Sequence, residues 1–372
     1  MKKKILLLLG ICGTKYPIIR TILLTYTTGG AFMKKYLSLL VAAILILSSS
    51  TLLMGTAEAA KYRLASMYAT DNYVVRALTR MADRVREQTN GEVDIVIYPS
   101  DQLGNYENCY QEVMRGTIDM IGNYPSSRFN KKFELGSVPG LTLSDEQAKK
   151  LLSKGSPMHK FLEKCYDENG VVYIGSYLDA IMYCNIGKER KIRDPFAVGD
   201  KKGLTVRVVP VAAWRAFYTN MGYSVATIPW AEIFSSLQTG IIDADTGMNT
   251  EQAVASLGEI LGAHVQYQGA SVVVVNDLCI SKKTWNKFDD KTKQIIVDAF
   301  EAEREQEWQD AIGAYYRDLE TMKTKLGMTI YTPTPEQVKA IHEVAVKYCW
   351  PEAEKVVGKD IFNDINAFLG ND

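Results

Sequence analysis

Residues 91–120 read GEVDIVIYPSDQLGNYENCYQEVMRGTIDM. Val93, Ile95 and Ile97 alternate as in a strand with one buried face, and Pro99 ends the run. Tyr106–Arg115 has helical spacing and stops at Gly116, after which a strand is expected at Ile118–Ile121. Upstream, Lys61–Met67 reads as a first strand. Val74, Ala77, Leu78, Met81 and Val85 then recur at helical spacing from Tyr73, and Asn90-Gly91 closes that helix. The order β-α-β-α-β with short connections predicts a parallel sheet wrapped by helices.

Downstream, helices are expected near Asp145–Ser153 and Pro157–Glu168, and strands at Val171–Ile174, Ile181–Ile186 and Leu204–Val208. A helix over Ala212–Met221, a strand over Val225–Ile228, a helix from Pro229 to Gly240 and a strand at Ser271–Val275 follow. From about Asp290 to Leu326, Ile312, Tyr315, Leu319, Met322 and Leu326 keep the helical period. A helix of ~35 residues is ~50 Å long, wider than one small domain, so it is expected to brace two. No internal repeat and no low-complexity linker interrupts the chain. The fold class is therefore α/β, two lobes joined by several crossings. Residues 60–180 are assigned mostly to the first lobe and 181–270 mostly to the second. Residues 271–372 supply a strand returning to the first lobe, the long helix and C-terminal helices.

The first 59 residues read as an export signal. Met33 is followed by Lys34-Lys35, an apolar run from Leu37 to Leu47, and Ala57-Glu58-Ala59, an A-x-A cleavage pattern. The run is shorter than the ~18–20 residues that span a bilayer, which argues against a permanent anchor. Residues 1–32 hold a second basic start, so translation begins at either Met1 or Met33. Cleavage after Ala59 predicts a periplasmic protein.

The whole chain carries 43 Lys and Arg against 43 Asp and Glu. With no block of like charge, nucleic acid and anionic membranes are unsuited as partners. The mature region holds Cys109, Cys165, Cys184, Cys279 and Cys349. This odd number in an oxidising compartment leaves at least one free thiol, and one disulfide among scattered buried thiols is the plain expectation.

Catalytic motifs are missing: there is no G-x-S-x-G, P-loop or G-x-G-x-x-G. His342-Glu343 opens like a zinc-protease motif, but Val346 stands where the second histidine belongs. Asp289-Asp290 is explained by helix capping. No enzyme activity, cofactor or metal is expected.

Three stretches carry a family resemblance: Gly91–Met120 above, Gly203–Pro210 (GLTVRVVP) and Thr227–Asp243 (TIPWAEIFSSLQTGIID). In order and separation they resemble the solute-binding proteins of TRAP (tripartite ATP-independent periplasmic) transporters, across nearly the whole mature chain. The resemblance implies a two-lobed binding protein that closes over a small organic acid and delivers it to the small and large membrane subunits of the transporter. In that family the arginine of the second stretch grips the ligand carboxylate, and the matching residue is Arg207. A planar guanidinium suits a carboxylate through two parallel hydrogen bonds. Arg207 also sits among Leu204, Val206, Val208 and Val209, on a strand where a charge needs a partner. Trp230 matches an aromatic residue that packs on the ligand; Glu232 and Gln238 look like scaffold contacts.

The chain departs from the family in two places. Gly175–Asn185 (GSYLDAIMYCN) lacks the second arginine many members carry there. Where many show D-G-x-E-N, this chain has Asp243-Ala244-Asp245-Thr246-Gly247. One cationic clamp is gone and an acid, Asp245, has arrived, pointing to a monocarboxylate bearing an amine or several hydroxyls. Strand-end loops supply further candidates for the pocket: Tyr68 through Asp71, Asn105 with Tyr106, and Asn123 with Tyr124. Thr246 and Asn249 complete the set. The chain is expected to act as a monomer, although some family members pair through an exchanged helix. Two rival readings are a solute sensor for a membrane receptor and a secreted enzyme on a similar scaffold.

Overall fold

The computed structural model describes residues 60–180, 182–270 and 274–370. The opening stretch forms β1 (Ala60–Ala65), α1 (Tyr73–Gln88), β2 (Val93–Tyr98), α2 (Tyr106–Arg115) and β3 (Met120–Asn123). β1 runs parallel to both β2 and β3. The Asn72 side chain caps α1, and the helix buries the apolar stripe from Val74 to Val85. Gly116 ends α2 with φ 77°, a left-handed conformation that favours glycine. β3 starts two residues later than expected. Asp119 before it turns its carboxylate to the Arg63 N–H (2.9 Å) and the Thr284 hydroxyl (2.8 Å).

The chain continues through α3 (Asp145–Leu152), α4 (Pro157–Glu168), β4 (Val171–Ala180), β5 (Tyr183–Gly187), β6 (Thr205–Val208), α5 (Ala212–Asn220) and β7 (Ser224–Thr227). After a 3-10 turn at Trp230–Glu232 come α6 (Ile233–Thr239), β8 (Ala244–Asp245), α7 (Thr250–Leu257), β9 (Leu261–Gln266) and β10 (Val274–Ser281). The last elements are α8 (Lys282–Trp285), α9 (Asp290–Thr324), β11 (Thr329–Tyr331), α10 (Pro335–Val344), α11 (Trp350–Val357) and α12 (Lys359–Leu369).

Two sheets result, ordered β2-β1-β3-β10-β4 and β11-β9-β5-β8-β6-β7. The first is mixed rather than purely parallel, because β10 runs antiparallel to β3 and β4. β10 also lies further along the chain than its apolar run suggested; Ser271–Val273 fall outside the described residues, as does Ile181. It continues through the buried polar pair Asn276 and Asp277. Asp277 is accommodated there by hydroxyl donors from Tyr166 and Ser176. β4 extends to Ala180, well past the expected Ile174, because both its faces are covered from Tyr173 onward.

The chain crosses between the sheets from β4 to β5 and from β9 to β10, and α9 contacts elements of both. α9 is 35 residues long and is capped by Asp289, whose carboxylate accepts from the Thr292 N–H. It packs on α1 and β4 on one side of the molecule and on α7 and β11 on the other. Glu303 is buried in its first contact, where Arg80 and Arg84 both pair with it. Two large apolar clusters, one around each sheet, form the cores. The expected disulfide is not formed: all five described cysteines are free and buried, three in the core of the first sheet and two in that of the second. Among the described residues no helix is long and apolar enough to cross a membrane.

Candidate ligand-binding site

β6 has the sequence TVRV and is buried from Val206 onward, so Arg207 enters the interior with its strand and is 3 % exposed. A guanidinium this deep needs compensation. Its Nε donates to the Ile228 carbonyl at 3.1 Å and its Nη1 to the Thr246 carbonyl at 2.8 Å. Asp245 Oδ1 lies 3.8 Å from Nη1. Among the described residues, these contacts leave Nη2 uncommitted. The Trp230 ring centroid stands 5.9 Å from the guanidinium carbon, within cation–π range.

The open side of Arg207 faces a small cavity. Its wall is assembled from strand ends: Met67 and Tyr68 beyond β1, Tyr124 beyond β3, Val209 and Pro210 beyond β6, Trp230 beyond β7 and Gly247 beyond β8. Open α/β sheets collect ligands at such carboxyl ends. Gly247 adopts φ +90°, and a Cβ there would come within 3.0 Å of Val209 Cγ1 and 3.4 Å of Arg207 Nη1. The glycine at this departure from the family pattern thus has a backbone reason and keeps the guanidinium clear.

Of the residues singled out from sequence, Arg207, Trp230, Tyr68, Tyr106 and Tyr124 meet at this cavity. Asp245 and Thr246 stand behind Arg207. Burial pushes the Asp245 carboxyl up to about 7, against the pull of Arg207. Asn249 caps α7 and donates to Asp179 at 3.0 Å, outside the lining. Asp71, Asn105 and Asn123 are not brought to the cavity. Asp71 is exposed and offers only its carbonyl, to Arg76. Asn105 caps α2, and Asn123 accepts from the Met67 N–H at 2.7 Å. Glu232 and Gln238 are exposed rather than packed as scaffold. The three histidines lie apart, against Tyr173, Asn185 and Trp350 respectively. Among the described residues no three metal-binding side chains gather.

Residues 64–355 match the family described as bacterial extracellular solute-binding protein, family 7. The chain belongs to that family. A solute-binding protein of Chromohalobacter salexigens is 24% identical over 281 residues, covering 73% of this chain and 80% of the relative. Among solved structures, a TRAP periplasmic solute binding protein from Desulfovibrio salexigens with bound orotic acid superimposes with TM-score 0.75 at 20% identity, over 84% of this chain and 99% of that one. The periplasmic ectoine-binding protein of the Halomonas elongata TRAP transporter does so with TM-score 0.74 at 16% identity, over 84% and 100%. The fold is that of two-lobed TRAP periplasmic binding proteins.

In this family 7 protein the cavity wall also contains residues outside the set singled out from sequence, chiefly Asp179 and Gln252. Asp179 lies within the stretch that lacks the second arginine and is 3 % exposed. The Tyr68 hydroxyl donates to Oδ2 at 2.7 Å and Asn249 Nδ2 to Oδ1 at 3.0 Å. Burial pushes this carboxyl up to about 6, and the two hydrogen bonds draw it back. Its isolation between Leu178 and Ala180 was the available signal: an acid in an otherwise apolar strand needs a reason.

Proposed function

We propose that the chain is the extracytoplasmic subunit of a TRAP transporter, and that it captures a small organic acid through one carboxylate held by Arg207. The observation that carries this reading is a buried guanidinium with an uncommitted amino group at the wall of a cavity between two lobes. A bidentate carboxylate would complete its hydrogen bonding. The organic ligand named for the Desulfovibrio salexigens relative, orotic acid, is itself a carboxylic acid. Trp230 packs against the bound acid, and ligand contacts from both lobes favour the closed form. The protein is exported through a cleaved signal ending at Ala59, hands its ligand to the two membrane subunits and performs no chemistry on it.

A thermal-shift screen of residues 60–372 against organic acids, amino acids and sugar acids tests the reading. A ligand at 100 times its Kd stabilises by about 2.7 kcal/mol, or several degrees at about 2–4 °C per kcal/mol. Arg207→Ala is expected to abolish the shift while the circular dichroism stays native. A shift retained in that variant removes Arg207 from the site, and conversion of the ligand on incubation would identify an enzyme instead.

A further inference from the structure

Asp179 stands out among the buried acids of this protein. Glu303 is neutralised by Arg80 and Arg84, and Asp277 is satisfied by two hydroxyls away from the cavity. Asp179 alone among these three lines the cavity that holds Arg207. Its hydrogen-bond partners, Tyr68 and Asn249, are both neutral, and among the described residues no cation pairs with it. The groups facing it from neighbouring elements add no positive charge: Tyr73 on α1, Tyr183 on β5 and Glu307 on α9.

Arg207, meanwhile, already has Asp245 beside it. When both acids are ionised, the walls hold one positive and two negative charges. A plain monocarboxylate would add a third negative charge beside buried side chains, where unbalanced charge is costly. A cationic nitrogen near the ligand carboxylate restores the balance. The aromatic walls of Tyr68, Tyr106, Tyr124 and Trp230 suit a cation as well.

We infer that the ligand is a zwitterionic acid, its carboxylate on Arg207 and its cationic nitrogen on Asp179. This rests on the carboxylate reading above. Asp179 thereby fills, from the opposite wall, the selecting role that sequence assigned to Asp245.

The test is calorimetry with matched pairs on the mature protein: alanine against isobutyrate, proline against cyclopentanecarboxylate, and glycine betaine against 3,3-dimethylbutanoate. At least one zwitterion is expected to bind about tenfold or more tighter than its nitrogen-free partner, equivalent to about 1.4 kcal/mol. Asp179→Asn is expected to compress that ratio to within about threefold, its folding checked by circular dichroism. If the variant fails to fold, the wild-type pairs decide alone. Plain or hydroxylated acids binding as tightly as the zwitterions would overturn the role of Asp179 and leave the carboxylate reading standing. No binding by any acid, zwitterionic or not, would overturn both.

Discussion

Arg207 and Asp245 stand on adjacent parallel strands, each one residue beyond the paired Val206 and Ala244, and their charged groups approach to 3.8 Å. Both are almost wholly buried. The pair is long for a hydrogen bond, so Arg207 neutralises Asp245 while two backbone carbonyls hold the guanidinium in place. Truncating one partner of a buried pair costs about 3–5 kcal/mol, because the other charge is stranded. Arg207→Ala is therefore expected to destabilise as well as to stop binding, and the loss depends on pH. The folded Asp245 carboxyl, at about 7, lies above its unfolded value of about 3.9. Removing the arginine raises it further. Below about pH 6 both native states hold a proton that the unfolded chain has lost, and the two curves run parallel; as pH rises from about 6 to 8 wild type releases it while the variant keeps it, so the variant falls further below wild type over that range. Parallel melting-temperature curves for the two proteins across that range would rule out the coupling.

The five described cysteines are free and buried, and burial raises the thiols of Cys109 and Cys165 to about 11. Thiolate is the reactive form. Native protein of residues 60–372 is expected to react with no thiol reagent over minutes, and denatured protein to release five equivalents, one for each free cysteine. Three equivalents after denaturation without reductant would reveal a disulfide and contradict the packing.

The helices were legible where amphipathic spacing and end signals agreed. α1 and α2 run from an asparagine cap to a turn or glycine, and both follow the period of their buried residues. The buried strands were harder. β4 has no exposed face after Tyr173 and therefore no alternation to read, and β10 hides in a run broken by Asn276 and Asp277. β8 is two residues long and has no pattern of its own. Arg207 and Trp230 were found because a family pattern surrounds them. Asp179 was not, because what makes it part of the site is contact with Tyr68, 111 residues away, and Asn249, 70 residues away. Local sequence does not encode such distances. Asp71 and Asn105 failed to reach the cavity for the opposite reason: strand-end and cap positions are common, and most are occupied in holding the backbone.

Glu307, on α9, is buried with Oε2 accepting from the Leu178 N–H at 3.2 Å, while Oε1 has no hydrogen-bond partner. Burial pushes its carboxyl well above the usual range. The folded value exceeds the unfolded one, so the side chain binds a proton in the native state that it lacks when unfolded near neutrality. Its contribution worsens as pH rises above about 4.3, by at most about 1.4 kcal/mol per pH unit. Glu307→Gln keeps the acceptor for Leu178 and cannot ionise. Chemical denaturation is expected to show the variant near wild type at pH 4.5 and more stable at pH 8. A gap that shrinks or reverses over this interval would mean that Glu307 is ionised and paired.

Glu251 in the first turn of α7 accepts from the Tyr73 N–H of α1 at 3.0 Å. Asn72, capping α1, donates to Asn249, capping α7, at 3.4 Å. Two helix N-termini thus face each other across the cleft, and their partial positive charges repel. Glu251 places a carboxylate between them, with Arg76 at 3.6 Å and Arg317 at 3.3 Å on its other oxygen. α1 and α7 both pack on α9, and this contact is expected to act as a latch that holds the lobes together. Losing one charge-assisted bond is worth about 1.5 kcal/mol or more, close to tenfold in rate. Glu251→Ala is expected to speed ligand release by about that factor. Glu251→Gln, which keeps an acceptor but loses the charge, should fall between the variant and wild type. Association rates are expected to change little, since encounter precedes closure. Stopped-flow release rates equal to wild type in both variants would show that closure is held elsewhere.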